Sequence, residues 1–153
     1  MNAKYTLVPE AIATFAATDK SQILQTLSAL FARSYGLDKG VVLDGLEERE
    51  RLGSTGFGRG VAIPHARIEG INRPLAAILR LDGSVDFEAA DALPVDLVIG
   101  LLSPVNAGAT HLHALAAISR MVRDDETHEA LLQAADSEAL YAMLTNATDR
   151  DAA

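Results

Sequence analysis

Cysteine and tryptophan are missing from the 153 residues, aromatic side chains reach only 5%, and cations are outnumbered. Without cysteine there is no disulfide framework, no thiolate metal site and no thiol nucleophile. Thirteen Lys and Arg stand against twenty-one Asp and Glu, a formal charge of −8. Nucleic-acid phosphates need clustered cations, so binding DNA or RNA through the overall field is excluded. An acidic domain suits a small molecule or a protein with a basic patch. No apolar run reaches the ~18 residues of a membrane-spanning helix, so no membrane insertion is expected. The start, MNAKYTLVPEAIATF, lacks the basic and apolar blocks of a signal peptide. A cytoplasmic protein is the natural expectation.

What is present argues for one packed domain over residues 1–153. The hydrophobic share is 49%, and a chain of this length buries ~68–70% of its unfolded surface. Residues 1–17 give no clear pattern. From Ser21, the residues Ile23, Leu24, Leu27, Leu30 and Phe31 fall on one helical face, with Gly36 as a stop and Asp19 and Gln22 as a capping box. A second helix is predicted over Lys39–Leu52, ended by Gly53-Ser54-Thr55-Gly56. Gly56, Gly58 and Gly60 punctuate a loop before Val61-Ala62-Ile63, a short buried strand closed by Pro64. Pro74–Leu81 and Val95–Leu102 are apolar at nearly every position, which fits strands covered on both faces. Asp82-Gly83 and the stretch 86–94 supply turns between them. Helices follow at about Thr110–Val122, Glu126–Ala134 and Ser137–Leu144, with a polar tail from about residue 146. The expected fold class is α/β: a single-domain sandwich of a small mixed sheet flanked by helices.

With no thiol available, histidine is the strongest nucleophile and the group that titrates near neutral pH. Of His65, His111, His113 and His128, the first has the most telling context. It ends a short strand after the glycine-rich approach GSTGFGRG, where backbone N–H groups can face an anion; the plain alternative is a histidine in a turn. On the 110–122 helix, Leu112, Leu115, Ile118, Ser119 and Val122 form the predicted inward stripe. His111 lies only about 20° from Ile118 and so at the stripe's edge, in a first turn that Thr110 would cap. His113 falls toward water. The two rings diverge by about 200°, which argues against a His111–His113 metal pair, and no HExxH pattern exists. Arg49 continues the apolar i, i+4, i+7 series of Val42 and Leu46, whereas Glu47, Glu48, Glu50 and Arg51 point away. An inward guanidinium needs an anion: an internal carboxylate such as Asp86, Glu88 or Asp91, a bound phosphoryl group held through paired donors, or else it snorkels out.

Four segments then carry a resemblance. Glu48-Arg49-Glu50-Arg51-Leu52-Gly53-Ser54-Thr55-Gly56, GRGVAIPHAR (58–67), PVDLVIGLLSP (94–104) and THLHALAAISR (110–120) occur in order and at matching spacing. Together they resemble the mannitol/fructose-class IIA proteins of the bacterial phosphoenolpyruvate-dependent phosphotransferase system, the stand-alone nitrogen-regulatory members most of all. The likeness runs from about residue 7 to 145. It implies a mixed sheet flanked by helices and a phosphohistidine carrier. His65 would accept a phosphoryl group from a phosphorylated histidine carrier protein, with His111 and Arg49 as its catalytic partners and Ser54 and Thr55 as phosphoryl-binding residues. No cofactor and no metal is implied. Regulatory target proteins would be sorted by phosphorylation state; the alternative is a sugar-transport component passing the phosphoryl group to a IIB domain. One departure stands out: many members carry glycine after the active histidine, where this chain has Ala66.

Overall fold

The computed structural model describes residues 4–152. Six strands and five α-helices follow a short 3-10 turn at Pro9–Ala11: β1 (Ile12–Phe15), α1 (Lys20–Tyr35), α2 (Lys39–Arg51), β2 (Gly56–Gly58), β3 (Val61–Ala62), β4 (His65–Ile68), β5 (Leu75–Val85), β6 (Val95–Pro104), α3 (Ala109–Arg123), α4 (Asp125–Gln133) and α5 (Ser137–Ala152). The sheet runs β1-β5-β6-β3-β2, with β4 also on β6. Pairing is mixed: β5–β6 and β2–β3 are antiparallel, whereas β1–β5, β3–β6 and β4–β6 are parallel. Among the described residues, no helix is long and apolar enough to cross a membrane.

Alternating side chains of β5 and β6 feed two cores. Ala77, Leu79, Val98 and Leu102 pack with Leu27, Phe31, Val42 and Leu46 of α1 and α2. Ala76, Ile78, Leu97, Ile99 and Leu101 pack with Ala114, Ile118 and Met121 of α3, Leu131 of α4 and Leu140 of α5. Both faces of the central strands are thus sealed, which is why their sequence shows no polar alternation. The α/β sandwich expected from the sequence is the observed fold, and apart from the end of α5 its helices and long strands fall within a few residues of their predicted places.

The differences have local causes. β1 is too short to announce itself and is fixed by its parallel pairing to Ile78–Leu81. Asp82-Gly83 makes no turn; β5 runs through it with a shift of register before Val85, where Gly83 takes φ 102°. Gln22 accepts from the Thr18 N–H and hydroxyl rather than from Asp19, while Asp19 caps the Gln22 N–H. α5 continues to Ala152 through the predicted polar tail; Ala153 lies outside the described residues.

Most relevant to function, β3 and β4 are one interrupted strand. Val61 pairs with Leu97 and His65 with Leu101, so both keep the same offset along β6. Pro64 has no N–H to give to a ladder, yet its carbonyl still accepts from the Leu101 N–H. His65 therefore opens a strand instead of occupying a turn.

Gly100 lets α1 lie directly on β6: a Cβ there would meet Phe31 at 2.8 Å and Leu27 at 2.9 Å, both side chains fully buried. Gly100→Ala is expected to lower unfolding stability by about 1–3 kcal/mol, read as a shifted denaturant midpoint.

Candidate functional site

Gly45 and Arg49 sit one turn apart on α2 and so on the same face. A Cβ on Gly45 would lie 3.2 Å from the Ala66 methyl, so this turn of α2 rests closely on β4. That contact carries Arg49 to the neighbouring His65. Ala66 is buried and paired with Leu102 in ordinary strand geometry; it is not among the non-glycine residues with positive φ, Arg59, Glu88 and Ala92. Alanine in place of glycine therefore leaves the backbone undisturbed.

Both nitrogens of the His65 ring are engaged. Nδ1 lies 2.8 Å from the Ile63 carbonyl oxygen, and the Arg49 Nε–H donates to Nε2 at 3.3 Å. A carbonyl only accepts and a guanidinium only donates. The ring proton is therefore on Nδ1, and Nε2 presents its lone pair. Burial pushes the His65 pKa down, with the Arg49 charge adding to it against the opposing Ile63 bond and Glu50 charge; the ring is neutral at physiological pH. Arg49 is anchored in turn by donating from Nη1 to the Gly53 carbonyl at 3.0 Å. Among the described residues it forms no ion pair, and the carboxylates considered for it are occupied: Asp86 on the Glu88 N–H, Glu88 near Lys20, and Asp91 on the Arg59 and Leu93 N–H groups.

His111 completes the cluster from α3. Its ring centroid is 5.6 Å from that of His65, at 46° between planes. The side chain is buried, and Nδ1 lies 2.6 Å from Ser103 Oγ on β6. Burial, followed by the charges of Arg67 and His65, lowers its pKa to about 4.

The inward stripe of α3 is not the leucine stripe read from the sequence. His111, Ala114, Ala117, Ile118, Met121 and Val122 face the sheet, whereas Leu112 is 61% exposed. Alanines on the inner face let the helix lie close to the strands and leave the leucine outside. The N-cap is Gly108, not Thr110, whose N–H bonds the Ala107 carbonyl; His111 remains in the first turn.

Arg49, His65, Arg67 and His111 line an open cleft of about 470 Å³, walled by Leu52, Leu112 and Leu115. Leu52 is 83% exposed at its rim. Ser54 and Thr55 are not brought to this cleft. The Ser54 hydroxyl donates to the Phe87 carbonyl at 2.9 Å and accepts from the Gly56 N–H. The hydroxyl and N–H of Thr55 both go to the Glu50 carboxylate. Their bonds shape the loop whose Gly53 carbonyl holds Arg49.

Glu50 itself was expected to point outward and does the reverse. Its side chain is 6% exposed and receives Lys20 Nζ at 3.0 Å, while the same ammonium lies 4.7 Å above the Phe87 ring. A helical wheel misses it because α2 ends at Arg51 and the chain turns back over its last residues. Ser103 carried a fairer signal: a hydroxyl in a run otherwise apolar from Leu97 onward. His113 is exposed, and His128 pairs with Asp96 at 3.1 Å. Among the described residues, no three of His, Asp and Glu gather as a cation site.

Known proteins share this arrangement of elements and sequence. The family described as "Phosphoenolpyruvate-dependent sugar phosphotransferase system, EIIA 2" matches residues 8–147. A nitrogen regulatory protein of Bradyrhizobium diazoefficiens is 42% identical over 139 residues, covering 90% of this chain and 91% of the relative. A nitrogen regulatory protein of Pseudomonas aeruginosa is 41% identical over 128 residues, 83% of each chain. The crystal structure of the nitrogen regulatory protein IIA-Ntr from Neisseria meningitidis superposes with a TM-score of 0.84 at 33% identity, covering 90% of this chain and 95% of that one. A family match over most of the length, joined by relatives well above 30% identity on the same fold, places the chain among the EIIA type 2 proteins of the phosphoenolpyruvate-dependent sugar phosphotransferase system.

Proposed function

We propose that this IIA protein accepts a phosphoryl group on Nε2 of His65 from a phosphorylated histidine carrier protein, and that its phosphorylation state controls partner proteins. The observation that carries the reading is the single lone pair of His65, aimed beside a guanidinium in an open cleft. Nε2 attacks phosphorus in line; the new N–P bond forms as the donor's P–N bond breaks and its electron pair leaves with the donor imidazole. The His65 proton stays on Nδ1, held by the Ile63 carbonyl; the donor ring, protonated on its other nitrogen, departs as neutral imidazole, and the positive charge passes to the phosphorylated His65 ring, so no proton has to move. Arg49 shifts from Nε2 to the phosphoryl oxygens, and His111 meets them from the other side; positioning and charge stabilisation supply the catalysis. No metal or cofactor enters this route. The same reading places the chain in the cytoplasm with its donor.

Phosphorylation adds roughly −1.5 to −2 charges at a cleft rimmed by leucines, and so changes which protein surface fits there. Regulation is favoured by the relatives named nitrogen regulatory proteins. Transport has a specific observation of its own: a fructose-specific EIIA component of Haloferax volcanii is 34% identical over 73% of this chain. Transfer onward to a IIB domain would establish that second role.

Incubation with a phosphorylated histidine carrier protein is expected to add about 80 Da, one acid-labile phosphoryl group, in intact-mass spectra. His65→Ala should abolish the gain, and a modified H65A protein would move the site elsewhere. Arg49→Ala should slow transfer by roughly 100-fold with the far-ultraviolet circular dichroism unchanged; an undiminished rate removes Arg49 from the chemistry.

The pH profile has a defined sign. Because burial lowers the His65 pKa, Nε2 stays unprotonated below the ordinary histidine value of about 6.5. The initial transfer rate should hold level through that pH and fall only in more acidic solution. A midpoint at or above it would contradict the assignment.

A further inference from the structure

β6 is apolar from Leu97 to Leu102, and Ser103 follows, fully buried, in register with Arg67 of β4. A buried hydroxyl that does not donate leaves the desolvation penalty of its O–H in place. Among the described residues, the one partner of Ser103 Oγ is Nδ1 of His111, 2.6 Å away. Two arrangements satisfy that distance. If Nδ1–H donates to Oγ, the hydroxyl proton is left with no acceptor. If the hydroxyl donates to Nδ1, neither group is orphaned, and a neutral ring then carries its proton on Nε2.

We propose that Ser103 is a positioning residue of the phosphoryl site: its buried hydroxyl donates to Nδ1 of His111 and keeps the proton of that ring on Nε2, the edge left for the cleft. The two imidazoles then hold opposite tautomers. His65 has its proton on Nδ1, where Ile63 accepts it, and offers a lone pair at Nε2, where Arg49 donates. His111 has its lone pair tied up by Ser103 and offers an N–H. One ring is set as a nucleophile and the other as a hydrogen-bond donor to phosphoryl oxygen. The choice is made by a backbone carbonyl in one case and a hydroxyl in the other. The consequence for transfer rests on the carrier role proposed for His65, but the tautomer of His111 does not.

Long-range proton–nitrogen NMR on histidine-labelled protein reads both tautomers directly, and phosphoramidate serves as a small phosphoryl donor for rates by intact mass. Wild-type protein is expected to show Nε2–H at His111 and Nδ1–H at His65. Ser103→Ala should move the His111 proton wholly or partly to Nδ1 and slow phosphorylation of His65 roughly ten-fold, and Ser103→Thr should restore both. A wild-type His111 protonated at Nδ1 overturns the proposal without any variant having to fold. An S103A protein with an unchanged tautomer or an unchanged rate overturns it as well. Failure of wild-type protein to take up any phosphoryl group, from phosphoramidate or from a carrier protein, would count against the carrier role instead, and the His111 tautomer would still decide what Ser103 does.

Discussion

The bond from Nδ1 of His65 to the Ile63 carbonyl sets the terms for the rest of the site. It exists because the strand lying along β6 is interrupted at Ile63-Pro64 and resumes in the same register at His65. The interruption brings a backbone acceptor within reach of a side chain two residues later. With that acceptor fixed, the ring proton has one place to be, and the opposite nitrogen becomes the only basic edge. Arg49, His111 and the leucine rim gain their significance from the direction that edge takes.

Electrostatics at the cleft work by withholding protons. Two imidazoles and two guanidiniums share a small volume, and burial together with neighbouring positive charge holds both rings neutral. The chain as a whole is acidic, so the cleft is a local exception. Here positive charge comes from arginines that cannot give up their protons, which leaves the histidines free to act as neutral bases and donors. The Glu50 carboxylate, close in sequence to Arg49, opposes this balance at His65 but is outweighed by burial, and Lys20 and Thr55 hold it in place.

Much of this was legible in the sequence, and what was not has recognisable causes. Periodicity found α1 and α2, and continuous apolar runs found β5 and β6, because those elements are long and their burial is written in residue type. β1, β2 and β4 were invisible because strands of three or four residues are created by their partners. His65 and Arg49 stood out, the one by its glycine-rich approach and the other by a charge on an apolar face. The leucine stripe misled in part for α3: Ile118 and Val122 of the predicted stripe are buried, but the first turns of the inner face are His111, Ala114 and Ala117, and Leu112 is left exposed at the cleft. Ser54 and Thr55 drew attention through family likeness, yet their hydroxyls are committed to the loop's own bonds, which only three-dimensional proximity to Glu50 and Phe87 determines.

The close seat of α2 on β4 has a corollary for how such a chain can vary. Where Gly45 faces Ala66, a second methyl would start 3.2 Å from the first, a tight contact that would push helix and strand apart by a few tenths of an ångström. A single methyl can belong to the helix or to the strand. Positions 45 and 66 are thus sterically linked: with glycine at 66, the nearest neighbour of a methyl at 45 would be Ile68 Cγ2 at 3.5 Å, an ordinary contact.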